Sequence, residues 1–375
     1  MVYFESSKTE GKYLYATAVP VPNMDPESQS ENTGNISNLS TQEPAEMTPA
    51  LISKLTQQGF TKGLAMSLRE NAKVFPLRVW IIDNSGSMNR VDGHRIVETS
   101  KSANLQIVES TRWEEIRECV NYHAQMSSLL NAPTIFRLLN PAARIPNQEF
   151  TIAQNGYNPS EASEARSLLS RVSPGGLTPL TKHIHHIRGN IISPMKHQLE
   201  STGQKIAIII ATDGLPTDSS GTCSNYSKDE FVTALKSLEG LPVWIVIRLC
   251  TDEDDVVEFY NDIDEQLELS IEVLDDFVGE AQEVYEHNKW LNYGLPLHRC
   301  RELGFEDRVF DLIDERALTK SEIFQFCRII FGEEEFDSVP DPSIDLRGFL
   351  IEIDRIMESS TQKQWNPITK KVQPW

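Results

Sequence analysis

Five oxygen-bearing side chains fall in three loops of this chain, and each loop stands where a strand ends or a helix begins. They are Asp83, Ser85, Ser87, Thr178 and Asp213. The first three alternate along one turning loop, so their side chains can converge. Carboxylate and hydroxyl oxygens without sulfur or imidazole form a hard donor set that suits Mg²⁺, and less specifically Ca²⁺ or Mn²⁺. Because Mg²⁺ takes six ligands, one position can be filled from outside, ideally by a carboxylate.

Three continuous apolar runs predict the buried strands that position these loops. Residues 77–83 and 205–213 each end in an aspartate, and residues 242–249 form the third run. Helical patterns separate the runs, and strands that are apolar throughout indicate a parallel sheet covered by helices on both faces. We therefore expect an α/β fold with a doubly wound, mostly parallel sheet over residues 76–290. Ligands bind such sheets at the carboxyl ends of the strands, where these loops lie.

The three loops resemble those of the von Willebrand factor type A (vWA) domain in the segments IIDNSGSM, GGLTPL and ATDG. The pattern Asp-x-Ser-x-Ser, then Thr, then Asp is similar to that family's metal-ion-dependent adhesion site (MIDAS), and all five positions have a match. The resemblance implies that Ser85 and Ser87 bind the ion directly and that Thr178 binds it directly or through water. It also implies that Asp83 and Asp213 often act through water, with Asp83 orienting the serines.

Outside residues 76–290 the patterns change, and we divide the chain into five segments. They are a disordered polar tail (1–47), a short helical lead-in (48–75), the α/β domain (76–290) with an insertion at 89–112, an acidic helical appendage (291–360) and a C-terminal tail (361–375). The insertion is longer than the vWA family's usual connection, and we expect it to cover the site or to contact the partner. Residues 251–360 hold 31 Asp or Glu against 9 Lys or Arg. Such clusters usually form solvated faces, and the alternative is a surface that attracts a basic partner.

Charge, hydropathy and cysteine spacing exclude several classes of protein. A formal net charge of −20 argues against binding to nucleic acid, which needs a basic face. No apolar run reaches the roughly 18 residues of a membrane-spanning helix, so we expect no span. The N-terminal residues lack the basic and apolar regions of a signal peptide. The five cysteines are odd in number and widely spaced, unlike a disulfide framework. We therefore expect an intracellular, cytoplasmic location.

The motifs of several enzyme classes are incomplete. Residues 175–182 are similar to a phosphate-binding loop, but they lack its second glycine, and Pro179 removes a backbone amide. A haloacid dehalogenase would carry a second aspartate where Ser85 stands. No Ser-His-Asp or Cys-His signature is present, and we expect His183 and His186 to lie on a solvated helix face. We therefore expect no enzymatic activity and no small-molecule substrate.

Together these features predict a divalent-cation-dependent protein–protein interaction module. A partner protein would offer an Asp or Glu that completes the coordination of the metal. The alternatives are a non-catalytic subunit of an ATPase-driven, chelatase-like machine, a metal-dependent hydrolase, and a scaffold whose site is empty. A hydrolase would lose turnover in Asp83→Ala while keeping its fold, whereas a chelatase-like subunit would depend on a separate ATPase.

Overall fold

The structure is a computed structural model that describes residues 43–98, 105–359 and 362–375. Most of the predicted polar tail (residues 1–42) and residues 99–104 of the predicted insertion lie outside the described residues. Among the described helices, none is both long enough and apolar enough to cross a membrane.

A six-stranded sheet organises the described residues. The strands of the structure are β1 (Leu77–Ile82), β2 (Gly93–Glu98), β3 (Leu105–Ser110), β4 (Thr134–Leu138), β5 (Glu149–Ile152), β6 (Ile206–Thr212), β7 (Val243–Leu249), β8 (Ile271–Leu274), β9 (Lys363–Asn366) and β10 (Lys371–Pro374). The order in the sheet is β5-β4-β1-β6-β7-β8. Neighbouring strands are parallel except β5, which runs antiparallel to β4. The predicted mostly parallel α/β fold is confirmed.

The order of the sheet reverses between β1 and β6. The chain passes from β1 to β4 on one side, and later returns to add β6, β7 and β8 on the other side. Every residue of β1, β6 and β7 is buried, which explains why these strands are apolar except at Arg78, Thr212 and Arg248. The carboxyl ends of β1 and β6 therefore flank the crevice at which such sheets bind ligands.

Fourteen α-helices are present among the described residues. They are α1 (Pro49–Gln57), α2 (Lys62–Val74), α3 (Arg112–Leu130), α4 (Glu161–Leu169), α5 (Leu180–Ile187), α6 (Ser193–Thr202), α7 (Asn225–Lys236), α8 (Asp254–Gln266), α9 (Phe277–His287), α10 (Leu295–Glu302), α11 (Leu312–Glu315), α12 (Lys320–Phe331), α13 (Glu333–Phe336) and α14 (Leu346–Ser359). Helices α5 to α8 pack on one face of the sheet, and α3 and α4 pack on the other. A third apolar core joins α1 and α2 to α9, α10 and α12.

The apolar spacing over residues 178–199 predicts one long helix with a break at Pro194. In the structure Pro194 lies in the first turn of α6, where its missing N–H is tolerated. The irregularity precedes it, as a π-helical turn over Arg188–Ile192. The structure also forms a hairpin from β9 and β10, where the sequence predicted only a tail.

Part of the predicted insertion forms a second hairpin, from β2 and β3. It packs along α3, where the His94 backbone N–H donates to Glu115 (2.8 Å) and Arg95 pairs with Glu118 (3.1 Å). Gly93 permits this approach, because a Cβ there would lie 2.8 Å from the backbone of α3 at Arg112. The hairpin is therefore attached to α3. The first residue of this helix, Arg112, reaches the crevice between β1 and β6.

Candidate functional site

Asp83 follows β1 and fixes the loop that carries the two serines. Its Oδ1 accepts a hydrogen bond from the Ser85 backbone N–H (2.7 Å), and its Oδ2 accepts one from the Thr212 hydroxyl (2.7 Å). The side chain is fully buried. Burial, and then the nearby charge of Asp213, raise the pKa of Asp83 to about 6. With both oxygens engaged, Asp83 holds the loop against the end of β6.

Three oxygens from the predicted set form a row across the crevice. The Ser85 and Ser87 hydroxyl oxygens lie 2.9 Å apart, and the Ser87 hydroxyl donates to Asp213 Oδ1 over 2.8 Å. Ser85 and Asp213 are buried, whereas Ser87 is half-buried and Gly86 is exposed. The row therefore opens to solvent beside Ser87.

The loop with Thr178 reaches the same crevice through backbone contacts. Gly175 donates its N–H to the Asn84 carbonyl (2.8 Å), and Gly86 donates to the Gly176 carbonyl (3.3 Å). The Thr178 hydroxyl lies 3.9 Å from the position that a Cβ would take at Gly214, the residue after Asp213. Within the described part of the chain this hydroxyl makes no hydrogen bond, so it is available to a ligand.

Arg112, the first residue of α3, also reaches the site, and the sequence analysis did not identify it. Its Nη1 donates to Asp213 Oδ2 (3.0 Å), and its other nitrogens donate to Asp92 (2.6 and 2.7 Å) and to Glu253 (2.8 Å). Burial opposes the charge of Arg112, yet its bonds to the three carboxylates raise the pKa above the ordinary value. The guanidinium thus binds one oxygen of Asp213 and leaves the other facing the serines.

The chemistry and spacing of the oxygen row fit a hard divalent cation. When ligands lie about 2.1 Å from Mg²⁺, neighbouring corners of the octahedron are about 3.0 Å apart. The two separations in the row, 2.9 and 2.8 Å, are close to that edge. Ser85, Ser87 and Asp213 could therefore hold an ion as neighbouring ligands, with the Thr178 hydroxyl nearby and Asp83 positioning the loop.

Another group of possible metal ligands is buried between α3 and α10. The ligand atoms of Cys119, His123 and Glu302 lie within 4.8 Å of one another. Arg299 and Arg248 already donate to the Glu302 carboxylate, over 2.7 and 3.4 Å. Despite the burial, the charge of Arg299 and then the contacts with His298 and His123 keep the pKa of Glu302 well below its ordinary value. We therefore interpret this group as a structural ion network.

The β2–β3 hairpin is held at a second point by a titratable pair. His94 Nδ1 lies 2.9 Å from Asp276 Oδ2, and this hydrogen bond is the main reason that the pKa of His94 rises from 6.5 to about 9. Glu115 and Asp252 add to the effect. Because the folded-state pKa is raised, the stabilisation is complete below pH 6.5 and is lost as the pH rises through 9.

We expect the wild-type chain to lose more stability between pH 6 and pH 9.5 than His94→Gln does. Urea unfolding of both proteins at the two pH values measures this difference. Asp276→Asn removes the same pair from the other side. It loses the charge that faces His94, while asparagine can still cap α9. Equal losses in wild type and His94→Gln would contradict the prediction.

Comparison with known proteins adds little to this description. No model of a known protein family matches the chain. No curated protein matches it. Among solved structures, the chain is similar to a point mutant of the PilB minor pilin from Streptococcus sanguinis, with a TM-score of 0.34 and 10% sequence identity. The alignment covers 53% of this chain and 57% of that chain. A likeness of this size carries no argument about function.

Proposed function

We propose that this chain is a protein-binding module of the vWA type, which captures a carboxylate of a partner protein through a divalent cation. The observation that carries the proposal is the row of oxygens from Ser85, Ser87 and Asp213 at the point where the order of the sheet reverses. Ligand sites of doubly wound sheets lie at this point. The resemblance of the three loops to MIDAS supports the same assignment.

The expected ion is Mg²⁺, with Ca²⁺ and Mn²⁺ as alternatives. Three side chains supply the neighbouring oxygens, and Thr178 and water fill further positions. The half-buried Ser87 and the exposed residues 175–177 leave a solvent-facing side on which an Asp or Glu of the partner can bind. The bound ion would supply a positive charge that attracts this carboxylate.

The proposal includes no catalytic step. Both oxygens of Asp83 and both oxygens of Asp213 accept hydrogen bonds from the protein. These bonds fix Asp83 to the serine loop and to β6, and Asp213 to Ser87 and Arg112, so each carboxylate has a positioning role. We therefore propose binding rather than hydrolysis, with the partner rather than a small molecule as the expected ligand.

Metal titration of the full chain tests the proposal. We expect one equivalent of Mg²⁺, Ca²⁺ or Mn²⁺ to bind by calorimetry and to raise the melting temperature, with acetate present to stand in for the partner's carboxylate. Asp213→Asn removes the charge of one ligand and Ser87→Ala removes a ligand oxygen, and we expect each to weaken binding at least tenfold. Asp83→Asn removes the charge that positions the loop, and we expect the affinity for the cation to fall by about 10- to 100-fold.

Asp218→Asn is the matched control. Asp218 lies in the exposed loop that follows Asp213, and within the described residues its carboxylate accepts hydrogen bonds from Ser220 and Thr222 of that loop. Asp218→Asn therefore removes one negative charge without altering the oxygen row, and we expect its affinity for the cation to be unchanged. If none of the three ions binds the wild type, or if all variants bind equally well, the proposal is wrong.

A further inference from the structure

An apolar groove lies between α12 and α14, on elements that contribute nothing to the oxygen site. Its volume is about 300 Å³, and Lys320 is the one charged residue in its lining. Phe326 and Ile330 of α12 and Phe349 of α14 form part of its surface. Two helices thus enclose an elongated apolar surface that no other described segment covers.

Helix α14 leaves much of its apolar stripe open towards this groove. Leu346, Leu350, Ile353 and Met357 follow one another at helical spacing along the groove. Leu346 is 43% exposed, Leu350 is 52% exposed, and Trp290 at the groove's border is 45% exposed. Soluble proteins rarely keep contiguous apolar surface in water, and such a patch marks an interaction site.

The charge around the groove indicates what binds there. Residues 318–359 carry 10 Asp or Glu against 4 Lys or Arg. Glu335, Asp345 and Asp354 of this segment are exposed, whereas Glu333 and Glu334 pair with Arg328 and Lys62. A cationic partner therefore gains attraction from the net negative charge of the segment in addition to apolar burial.

The same charge argues against two other occupants. Residues 1–42 of this chain carry five acidic and two basic side chains, and a second copy of the chain brings a net charge of −20. Both would bring further negative charge to this acidic segment, which is unfavourable. A partner that is apolar on one side and basic on the other matches both the apolar groove and the net charge of the segment that forms it.

We propose that the α12–α14 groove binds an amphipathic, basic helix of a partner protein. A helix that docks in a groove inserts side chains at positions i, i+3 or i+4, and i+7. The apolar row of α14 has the same spacing, so the two rows can interlock. Lysines or arginines on the flanks of the bound helix would face the exposed carboxylates. This surface is separate from the proposed cation site and does not depend on it.

Three fluorescent 18-residue peptides test the proposal against the full chain. The first is an amphipathic helix of leucine and lysine, the second replaces lysine by glutamate, and the third is a scrambled leucine–lysine sequence. We expect saturable 1:1 binding of the first peptide by anisotropy, and at least tenfold weaker binding of the other two. We also expect a blue shift of tryptophan emission, because Trp290 and Trp375 line the groove.

Leu350→Gln tests the location, with Ile351→Gln as its matched control. The two neighbours are similarly exposed, at 52% and 55%, but Ile351 does not line the groove. We expect Leu350→Gln to weaken binding of the basic amphipathic peptide at least tenfold and Ile351→Gln to leave it unchanged. No binding, equal effects of both substitutions, or equal binding of the scrambled peptide would overturn the proposal. So would a dimer of the full chain that Leu350→Gln dissociates.

Discussion

Glu302→Gln is expected to lower the free energy of unfolding by about 3–5 kcal/mol at pH 7. Glu302 is fully buried, and its carboxylate accepts hydrogen bonds from Arg299, Arg248 and Cys119 and contacts two histidine rings. Glutamine keeps the size but removes the charge, so Arg299 loses its counter-ion and Arg248 keeps only its pair with Glu115. Urea denaturation followed by circular dichroism measures the loss.

The pH dependence of the same variant adds a second readout. The pKa of Glu302 is depressed well below its ordinary value of 4.5 in the folded state. Its stabilisation is therefore complete above pH 4.5 and is lost as the pH falls towards the folded-state pKa. We expect the wild type to show this loss in acid and Glu302→Gln to lack it.

Glu306→Gln is the control for the Glu302 prediction. Glu306 forms a partly exposed ion pair with Lys205 at 2.9 Å. Water screens such a pair, so we expect its loss to change stability by less than about 1 kcal/mol. If Glu302→Gln were as stable as Glu306→Gln, the network around Glu302 would contribute little, and our interpretation of it would be wrong.

Arg112→Gln is expected to destabilise the cation-free protein by about 3 kcal/mol and to enlarge its response to Mg²⁺. The guanidinium is the internal counter-ion of the buried Asp213, and it also binds Asp92 and Glu253. Without it, the buried Asp213 lacks this counter-ion, whereas Glu253 keeps its pair with Arg90. A divalent cation in the row would then supply the missing positive charge.

Thermal unfolding with EDTA and with millimolar Mg²⁺ measures both parts of the Arg112 prediction. We expect a lower melting temperature than wild type in EDTA and a larger upward shift on adding Mg²⁺. Arg95→Gln is the control, since Arg95 lies in the β2–β3 hairpin and pairs with the half-exposed Glu118. A Mg²⁺ shift of equal size in Arg112→Gln and wild type would mean that Arg112 and the cation do not share Asp213.

The sheet and the convergence of the loops were predictable because they depend on local patterns. Strands that are buried on both faces are mostly apolar, and residues 77–82 and 206–212 have this composition apart from Arg78 and Thr212. Asp83 and Asp213 lie close together because they follow two strands that are neighbours in a parallel sheet. The binding of an ion there remains a prediction.

The ion pairs of Arg112 could not be predicted, because Asp92, Asp213 and Glu253 are all distant from it in the sequence. Arg112 reaches Asp213 only because the β2–β3 hairpin and α3 pack against the end of the sheet. His183 was expected on a solvated face, but it is buried and contacts Arg137 and the Leu139 carbonyl. Helical spacing identifies residues that share a face, but it does not identify the neighbour that covers that face.

The central place of β1 in the sheet has a consequence for synthesis of the chain. Of the six strands, β1 is made first, yet it pairs with β6 on one side. β6 begins at Ile206, roughly 120 residues after β1 ends, which is roughly 6–25 s at about 5–20 residues per second. During that interval an apolar strand edge stays open to other nascent chains. A chaperone that shields residues 77–82 on the ribosome would therefore raise the yield of the folded protein.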